Sequence, residues 1–544
     1  MKTHLFSLLF LSLGIMACDN DLEYKSETKS DHASLTESYI RHFSFSSDPV
    51  LQNYTFRIEQ TETPGVWEVS NRVDSLPIGT DISALKAVFE VTDDQLVVTV
   101  DGVVQESGVS VQDFSEPVIY EAQVPGSSDK KTYIMKVNVA KTDHNPDKYI
   151  ILHLSDFRPS VASKDHMKEI ARIFGSQTYK KKIGVGVAFT VMAMNYKHED
   201  VDNDLNYYLS RSQEYKLPVL IQIDVEQYWA AYKKIYNWWD PSDAETYNPD
   251  NIRNVERFGW GETDAVKWGW RNWGSQQAVN PMPNLRSPEY IAAAHGELRR
   301  VLTRVMEWKN SLPPEDKRLF IGVKVGWESG IGINNYYYDG GNDINAKDHT
   351  GITAANTPSS FTLDQAQWDT DYPPSMSHNG KILALGLAAA KEMGLLEEGD
   401  MGITGEMQTA VTQKHLEELA KICNEEFDIP RRQVFSHAFS NVTNWKAPLN
   451  QYSCPGWSFY SYAYNPTEMD PYVSQGIAQN DAPYWTAAEW LFRPSSTHPD
   501  TEENWIQAFT NTLGENTRLV TIYNWNSSIE ISATAQAAIK KLNK

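Results

Sequence analysis

From Lys148 onward, short apolar runs alternate with segments of helical period. The runs are "KYIILHLSDF" (148–157), "KIGVGVAFTVMAMN" (182–195), "LPVLIQIDV" (217–225), "RLFIGVKVGWE" (318–328), "MGITGE" (401–406), "RQVFSHAF" (432–439), "APYWTAAEW" (482–490) and "RLVTIYNW" (518–525). Between them lie patterns such as "KDHMKEIARIF" and "EYIAAAHGELRRVLTRVMEWKNS", with apolar residues three and four apart. Near-continuous apolar strands are those covered on both faces, as in a parallel sheet with helices outside. Eight of them predict an α/β fold, a (β/α)8 TIM barrel over 147–544. A doubly wound open sheet would also alternate, but no glycine-rich phosphate loop follows the first strand. The span exceeds a minimal barrel of roughly 250 residues, so long βα loops are expected after strands three, four and six.

Upstream the period changes from helical to twofold. "LKAVFEVTDD", "QLVVTVDGVV" and "TYIMKVNVAK" alternate and are split by Asp-Gly, Pro-Gly and Ser-Ser-Asp turns. Residues 39–141 therefore read as a small all-β sandwich, a spacer with a single tryptophan, Trp67. Residues 18–38 are polar and aperiodic, as in a tether. Residues 1–17 have a basic start and a short apolar core, the form of an export signal. "IMAC" resembles a lipobox, which implies cleavage before Cys18 and its lipidation. The acidic "DNDLE" that follows resembles the surface-export tag of lipoproteins in glycan-foraging Gram-negative bacteria. An outer-membrane lipoprotein, held by its lipid anchor, is the expectation.

Composition narrows the partners. The net charge is −22, so a nucleic-acid backbone is not expected as a ligand. Beyond Cys18 only Cys423 and Cys454 remain, too few for a disulfide framework or a cysteine zinc site. One bridge between them is open, although Cys423 lies in a helical pattern where a buried thiol is commoner. His153 and His437 lie at or near strand ends, but no close metal spacing such as HExxH occurs, and hydrogen-bonding roles are expected of them. No metal or other cofactor is expected, and the chain is expected to be a monomer.

Active sites of barrels form at the C-terminal strand ends. Those ends carry Asp156, Asn195, Asp224, Glu226, Glu328, Glu406, His437, Glu489, Asn524 and Trp525. Two carboxylates stand out, Glu328 after strand four in "GWES" and Glu489 after strand seven in "TAAEW". Glu406 in "ITGEMQT" is their rival as a catalytic carboxylate. The stretch "VGWESGIGINNYYYDGG" (325–341) surrounds Glu328 with glycines and aromatics.

This placement resembles the clan-A glycoside hydrolases, barrels with an acid/base glutamate after strand four and a nucleophile glutamate after strand seven. The "AEW" context is similar to the nucleophile motif of several members. The β module resembles the immunoglobulin-like modules of surface glycan-processing lipoproteins. The resemblance implies that Glu328 is the acid/base and Glu489 the nucleophile. One departure is Trp327, where the clan usually has asparagine; Asn334 or Asn335 would then have to supply that contact.

A glycosidic bond is cleaved by a carboxylic acid that protonates the departing oxygen and a carboxylate across the anomeric carbon. Seven of the 17 tryptophans lie between Trp229 and Trp273: Trp229, Trp238, Trp239, Trp260, Trp268, Trp270 and Trp273. Flat aromatic faces pack on pyranose C–H faces, about half of these rings being expected in the loop's own core. Trp327, Tyr336, Asn334, Asp224, His437, Trp268, Trp270, Trp485 and Trp525 are the substrate-binding candidates. Arg253, Arg257, Lys267 and Arg271 lie in the same loop. They would match an anionic sugar or pair with Asp240, Glu256, Glu262 and Asp264. The expected activity is glycoside hydrolysis of an oligo- or polysaccharide with retention; a non-catalytic glycan-binding lipoprotein on the same barrel is the alternative.

Overall fold

The computed structural model describes residues 38–544 apart from 46–50, 52–53, 55, 72–74, 77–79, 140–147, 178–180, 268, 273–275, 332–334, 339–381, 384, 515 and 531. The signal, most of the tether, Cys18, Trp268 and Asn334 lie outside the described residues, as do the side chains of Trp270 and Tyr336.

Eight parallel strands close into a barrel: β1 Lys148–Leu154, β2 Ile183–Met192, β3 Val219–Asp224, β4 Phe320–Ser329, β5 Val434–Ala438, β6 Cys454–Phe459, β7 Trp485–Trp490 and β8 Thr517–Ile522. Outside pack α1 His166–Phe174, α2 His198–Tyr215, α3 Pro288–Ser311, α4 Gly405–Lys421, α5 Pro471–Gln479, α6 Glu502–Thr512 and α7 Ala533–Leu542. Side chains cap α1, α4, α5, α6 and α7, from Asp165, Thr404, Asp470, Thr501 and Ser532. Each accepts an otherwise orphaned N–H of the first turn.

The barrel is as expected, but two of its strands are not. "MGITGE" is no strand: its last residues open α4, with Thr404 as the cap and Glu406 in the first turn. Strand five is the histidine run, so His437 belongs to β5. Strand six is "CPGWSF", whose proline and glycine argue against a central strand. A Cβ on Gly456 would lie 2.5 Å from Thr486 Oγ1 and 2.9 Å from Ala488 Cβ. Glycine there lets β6 and β7 close. The long insertions follow β3 and β4; the third expected one is occupied by β6 itself.

The two insertions pair with each other. Gly269–Asn272 and Gln276–Val279 from the first join Asn335–Tyr338 and Ile382–Leu383 from the second in a four-stranded sheet. Glu256 adds a second link. Its buried carboxylate accepts the backbone N–H groups of Gly386, Ala388 and Ala389, each at 3.1 Å. Burial pushes its pKa up to about 7.

Before the barrel stands a β domain. Its six-stranded sheet shares one core with two two-stranded sheets, and Phe43, Tyr120 and Tyr133 lie in it. Trp67 is buried there against Tyr133, with ring centroids 5.4 Å apart, and offers no face to a ligand. Arg57 pairs with Asp428 at 2.6 Å, and Arg432 lies over the Tyr54 ring at 4.8 Å. Asp428 and Arg432 sit between α4 and the start of β5. The domain therefore touches the N-terminal end of the barrel, away from the strand C-termini.

Candidate active site

The barrel interior changes character along its axis. Its lower layer is apolar: Tyr149, Ile151, Ala188, Leu220, Ile321, Phe435, Cys454 and Leu519. In the next layer along the strands the inward positions are polar, among them His153, Thr190, Gln222, Lys324, His437 and Thr521, all buried. Above them stand Glu328, 6% exposed, and Glu489, 1% exposed. A buried polar layer in a barrel core is costly unless it is hydrogen-bonded; within it His437 bonds the Glu328 N–H and Ser458, and Lys324 the Ala488 carbonyl next to Glu489.

Both glutamates sit on bulges. Between Val325 and Ser329, β4 slips against β5, and Gly326 (φ +80°) and Glu328 (φ +49°) take left-handed backbone. For a non-glycine residue that costs on the order of 1–3 kcal/mol, a cost tolerated where it serves function. On β7 one extra residue lies between Ala487 and Glu489 relative to β6. Without it, strand alternation would point Glu489 outward with Trp485 and Ala487. The bulge turns Glu489 inward and sends Trp490 to the outer core against Trp505 and Phe509.

The hydrogen bonds around the pair can be counted proton by proton. The Glu328 N–H donates to His437 Nδ1 at 3.3 Å, so Nδ1 is the acceptor. Nε2 then carries the ring hydrogen and donates to Ser458 Oγ at 2.8 Å. The Ser458 hydroxyl is left to donate to the Glu328 carboxyl. Tyr460 donates its hydroxyl to Glu489 Oε2 and is also in hydrogen-bond contact with Glu328. One phenol has one proton, and its hydrogen bond to Glu489 uses it. Glu489 also receives a side-chain hydrogen bond from Trp327.

The electrostatics agree. Burial, then the charge of Glu489, raises the pKa of Glu328 well above the carboxylate range. Burial raises Glu489 too, opposed first by Lys324 and then by Tyr460 and Trp327. His437 and His153 are pushed well below the usual histidine range by burial and by Lys324, and are neutral. Both carboxyls are thus pushed up by burial; the charge of Glu489 adds to the rise of Glu328, and Lys324 is the first influence opposing that of Glu489.

Aromatics wall that space. Trp327 is flanked by Phe157 at 5.7 Å and Tyr228 at 6.0 Å, and Tyr460 stands beside Tyr523 at 6.4 Å. Gln227 Nε2 fixes the Trp327 carbonyl at 2.6 Å.

Several expected site residues lie elsewhere. Glu406 is on the first turn of α4, its side chain 61% exposed and paired with Lys446 at 3.1 Å. Asp224 is buried, and its oxygens accept the N–H groups of Glu226, Gln227 and Tyr228. It ties down its own loop instead of facing a ligand, and burial pushes it up to about 7. His437 lies beneath Glu328 with both nitrogens engaged. Trp485, at the lower end of β7, packs on Phe459, and Trp525 packs on Phe174 in the outer core. Trp229 is fully buried, its indole donating to the Pro281 carbonyl. Among the loop cations, Arg253 pairs with Glu289, and Arg257 lies on Trp260 at 5.2 Å. Trp270 is on the insertion sheet, its backbone opposite Tyr336.

Lys324, Ser458, Tyr460, Tyr523 and Phe157 were not anticipated. Ser458 and Tyr460 followed from the unrecognised β6. Lys324 did leave a signal: one lysine inside an apolar strand, at even spacing from Glu328.

Neither a family model nor a curated protein matches this chain. Among solved structures it is similar to a protein from Bacteroides thetaiotaomicron whose glycoside hydrolase assignment is itself provisional. That match has 22% identity over 16% of this chain and 21% of that one, with a TM-score of 0.12. It is also similar to a β-galactosidase from the psychrophilic Marinomonas ef1 (10% identity, 72% of this chain and 58% of that one, TM-score 0.35). A third is a β-(1,4)-mannanase from Podospora anserina (9% identity, 82% of each chain, TM-score 0.31). The chain thus spans about a fifth of the first of these, 21%, and just over half of the second, 58%. At these scores the likenesses assign no activity.

Proposed function

We propose that this protein is a glycoside hydrolase with Glu328 as acid/base and Glu489 as nucleophile. The observation that carries the reading is the pair of buried glutamates turned inward at the ends of β4 and β7, of which Glu489 accepts the Tyr460 hydroxyl. Glu328 is then the group with a proton to give, and Glu489 the group with a lone pair to use. A nucleophilic Glu489 implies direct attack with retention, for which carboxyls about 5–5.5 Å apart are usual, whereas roughly 6.5–9.5 Å admits a water and gives inversion.

In the first step Glu489 attacks the anomeric carbon as Glu328 protonates the leaving oxygen. In the second, Glu328 takes a proton from water, which displaces Glu489. Trp327 and its flanking rings offer apolar faces to a pyranose. The β domain, seated at the opposite end of the barrel, acts as a spacer. With Cys18 lipidated, it would hold the barrel off an outer membrane.

Turnover of a panel of 4-nitrophenyl glycosides and polysaccharides tests the reaction, with proton NMR of the first-formed anomer reading its stereochemistry. Binding without cleavage of any member would favour a glycan-binding protein, and an inverted product would exclude Glu489 as nucleophile. Cys18→Ser should move the protein out of the membrane fraction; unchanged fractionation would remove the anchor from the account.

A further inference from the structure

Beneath the two carboxylates lies a buried cation, Lys324, 1% exposed. It shares β4 with Glu328, and its register partner on β3 is the neutral Gln222. Its ammonium donates to the Ala488 carbonyl at 3.0 Å and lies 3.5 Å from His437 Nδ1. Both partners are uncharged. A buried ammonium needs a compensating charge nearby; the carbonyl it holds belongs to the neighbour of Glu489, and the His437 nitrogen beside it also takes the Glu328 N–H, so these two are the acidic groups whose field it feels. The other titratable groups that face this space are His153 and His437, both neutral, and the phenols Tyr460 and Tyr523, kept protonated by burial and by the carboxylates.

The charge count is then simple. With both carboxyls ionised the buried group carries −1, with both protonated +1, and with one of each it is neutral. We propose that Lys324 is the fixed counter-ion of the carboxylate pair, a positioning residue that keeps Glu489 ionised while Glu328 keeps its proton. This rests on the two-carboxylate reading given above.

The role extends through both steps. When Glu489 bonds to the anomeric carbon it becomes a neutral ester. At the same moment Glu328 gives its proton to the departing oxygen and becomes the carboxylate. The negative charge moves from β7 to β4, while Lys324 stays in place beneath both. Hydrolysis of the ester moves it back. The pocket floor is neutral in the resting state and in the intermediate, so no buried charge is left uncompensated at either stage.

The test is Lys324→Met, which keeps the length of the side chain and removes the charge. On one 4-nitrophenyl glycoside that the wild type cleaves, kcat/KM is followed against pH. Without the ammonium both carboxyls hold their protons more tightly. Glu489 is affected more, because Lys324 is the first influence opposing its burial. The acid limb should move up by at least about one pH unit, a tenfold loss at the wild-type limb, with a smaller loss on the plateau. A uniform loss at every pH, with the limbs in place, would reduce Lys324 to a structural residue and overturn the proposal. Lys324→Arg, which restores the charge, should return the acid limb toward its wild-type position; a limb still displaced would also overturn it.

A second readout needs no turnover. Infrared titration of wild-type protein labelled with 13C-carboxyl glutamate, with Glu489→Gln used to assign the band, reports the pair directly. Glu489 ionised while Glu328 is protonated supports the proposal, and two protonated carboxyls at neutral pH contradict it. If that split is seen but no glycoside is cleaved, the counter-ion stands and the reaction assignment fails.

Discussion

The ends of β4 and β7 present the same side chain in the same kind of place. Each carries a buried glutamate turned inward by a bulge at the C-terminal mouth of the barrel. They differ in which protons reach them. Glu489 receives hydrogen bonds from Tyr460 and Trp327, and Lys324 is the first influence opposing its burial. Glu328 receives one from Ser458, and the Tyr460 proton is already given to Glu489. Its burial is compounded by the charge across the pocket. Residue type and depth do not separate an acid from a nucleophile here; the count of available donors does.

The comparison can be broken from either side. The largest effect should come from Glu489→Gln, which cannot form the glycosyl ester. Turnover should fall on the order of a thousandfold or more with folding unchanged. An activity within a factor of ten of wild type would remove Glu489 from the chemistry. Next comes Tyr460→Phe, which deletes the donor that distinguishes the two sides. A hydrogen bond to a charged group is worth about 1.5–3 kcal/mol, so kcat should fall about 10- to 100-fold. The acid limb should move to higher pH, since Glu489 loses a group that favours its ionised form. A limb that stays in place would mean that the phenol only fills space.

Stability should change in the opposite sense. Glu328 is a carboxyl whose folded pKa is raised above its unfolded value. Its contribution is fully present below the ordinary carboxylate pKa and is lost as pH rises toward the folded value. Glu328→Gln, which cannot ionise, should therefore match wild type in acid and exceed its Tm by roughly 1–3 °C above neutrality. Equal melting curves across pH would show that Glu328 is not held protonated. The smallest effect should come from Glu406→Gln, which removes only an exposed ion pair with Lys446. Activity should stay within about twofold and stability within about 0.5 kcal/mol; a large loss of activity would bring Glu406 back as a rival.

The two glutamates were legible in the sequence because each ends an apolar run where a barrel keeps its chemistry. The barrel was legible for the same reason, from strands buried on both faces. What failed had specific physical causes. "CPGWSF" broke the strand rules, since Gly456 is needed for close packing against β7, and with it Ser458 and Tyr460 were lost from view. "MGITGE" ended in a glutamate like a strand, but Thr404 makes it a helix start. Trp485 is a candidate by its aromatic ring and Trp525 by its strand-end position, and neither property reveals which face of a strand or turn a ring occupies. The bulge on β7 was not readable from alternation, which assigns Glu489 to the outer face.

The most direct test of the account is Glu328→Ala assayed on two leaving groups. Natural glycans need a proton to depart, so their hydrolysis should fall by about 10²–10⁴. An activated aryl glycoside should lose far less in the glycosylation step, and added azide should accelerate the second step by attacking where a general base is missing. Equal loss on both substrates at unchanged stability, with no response to azide, would contradict the assignment of Glu328 as the acid/base.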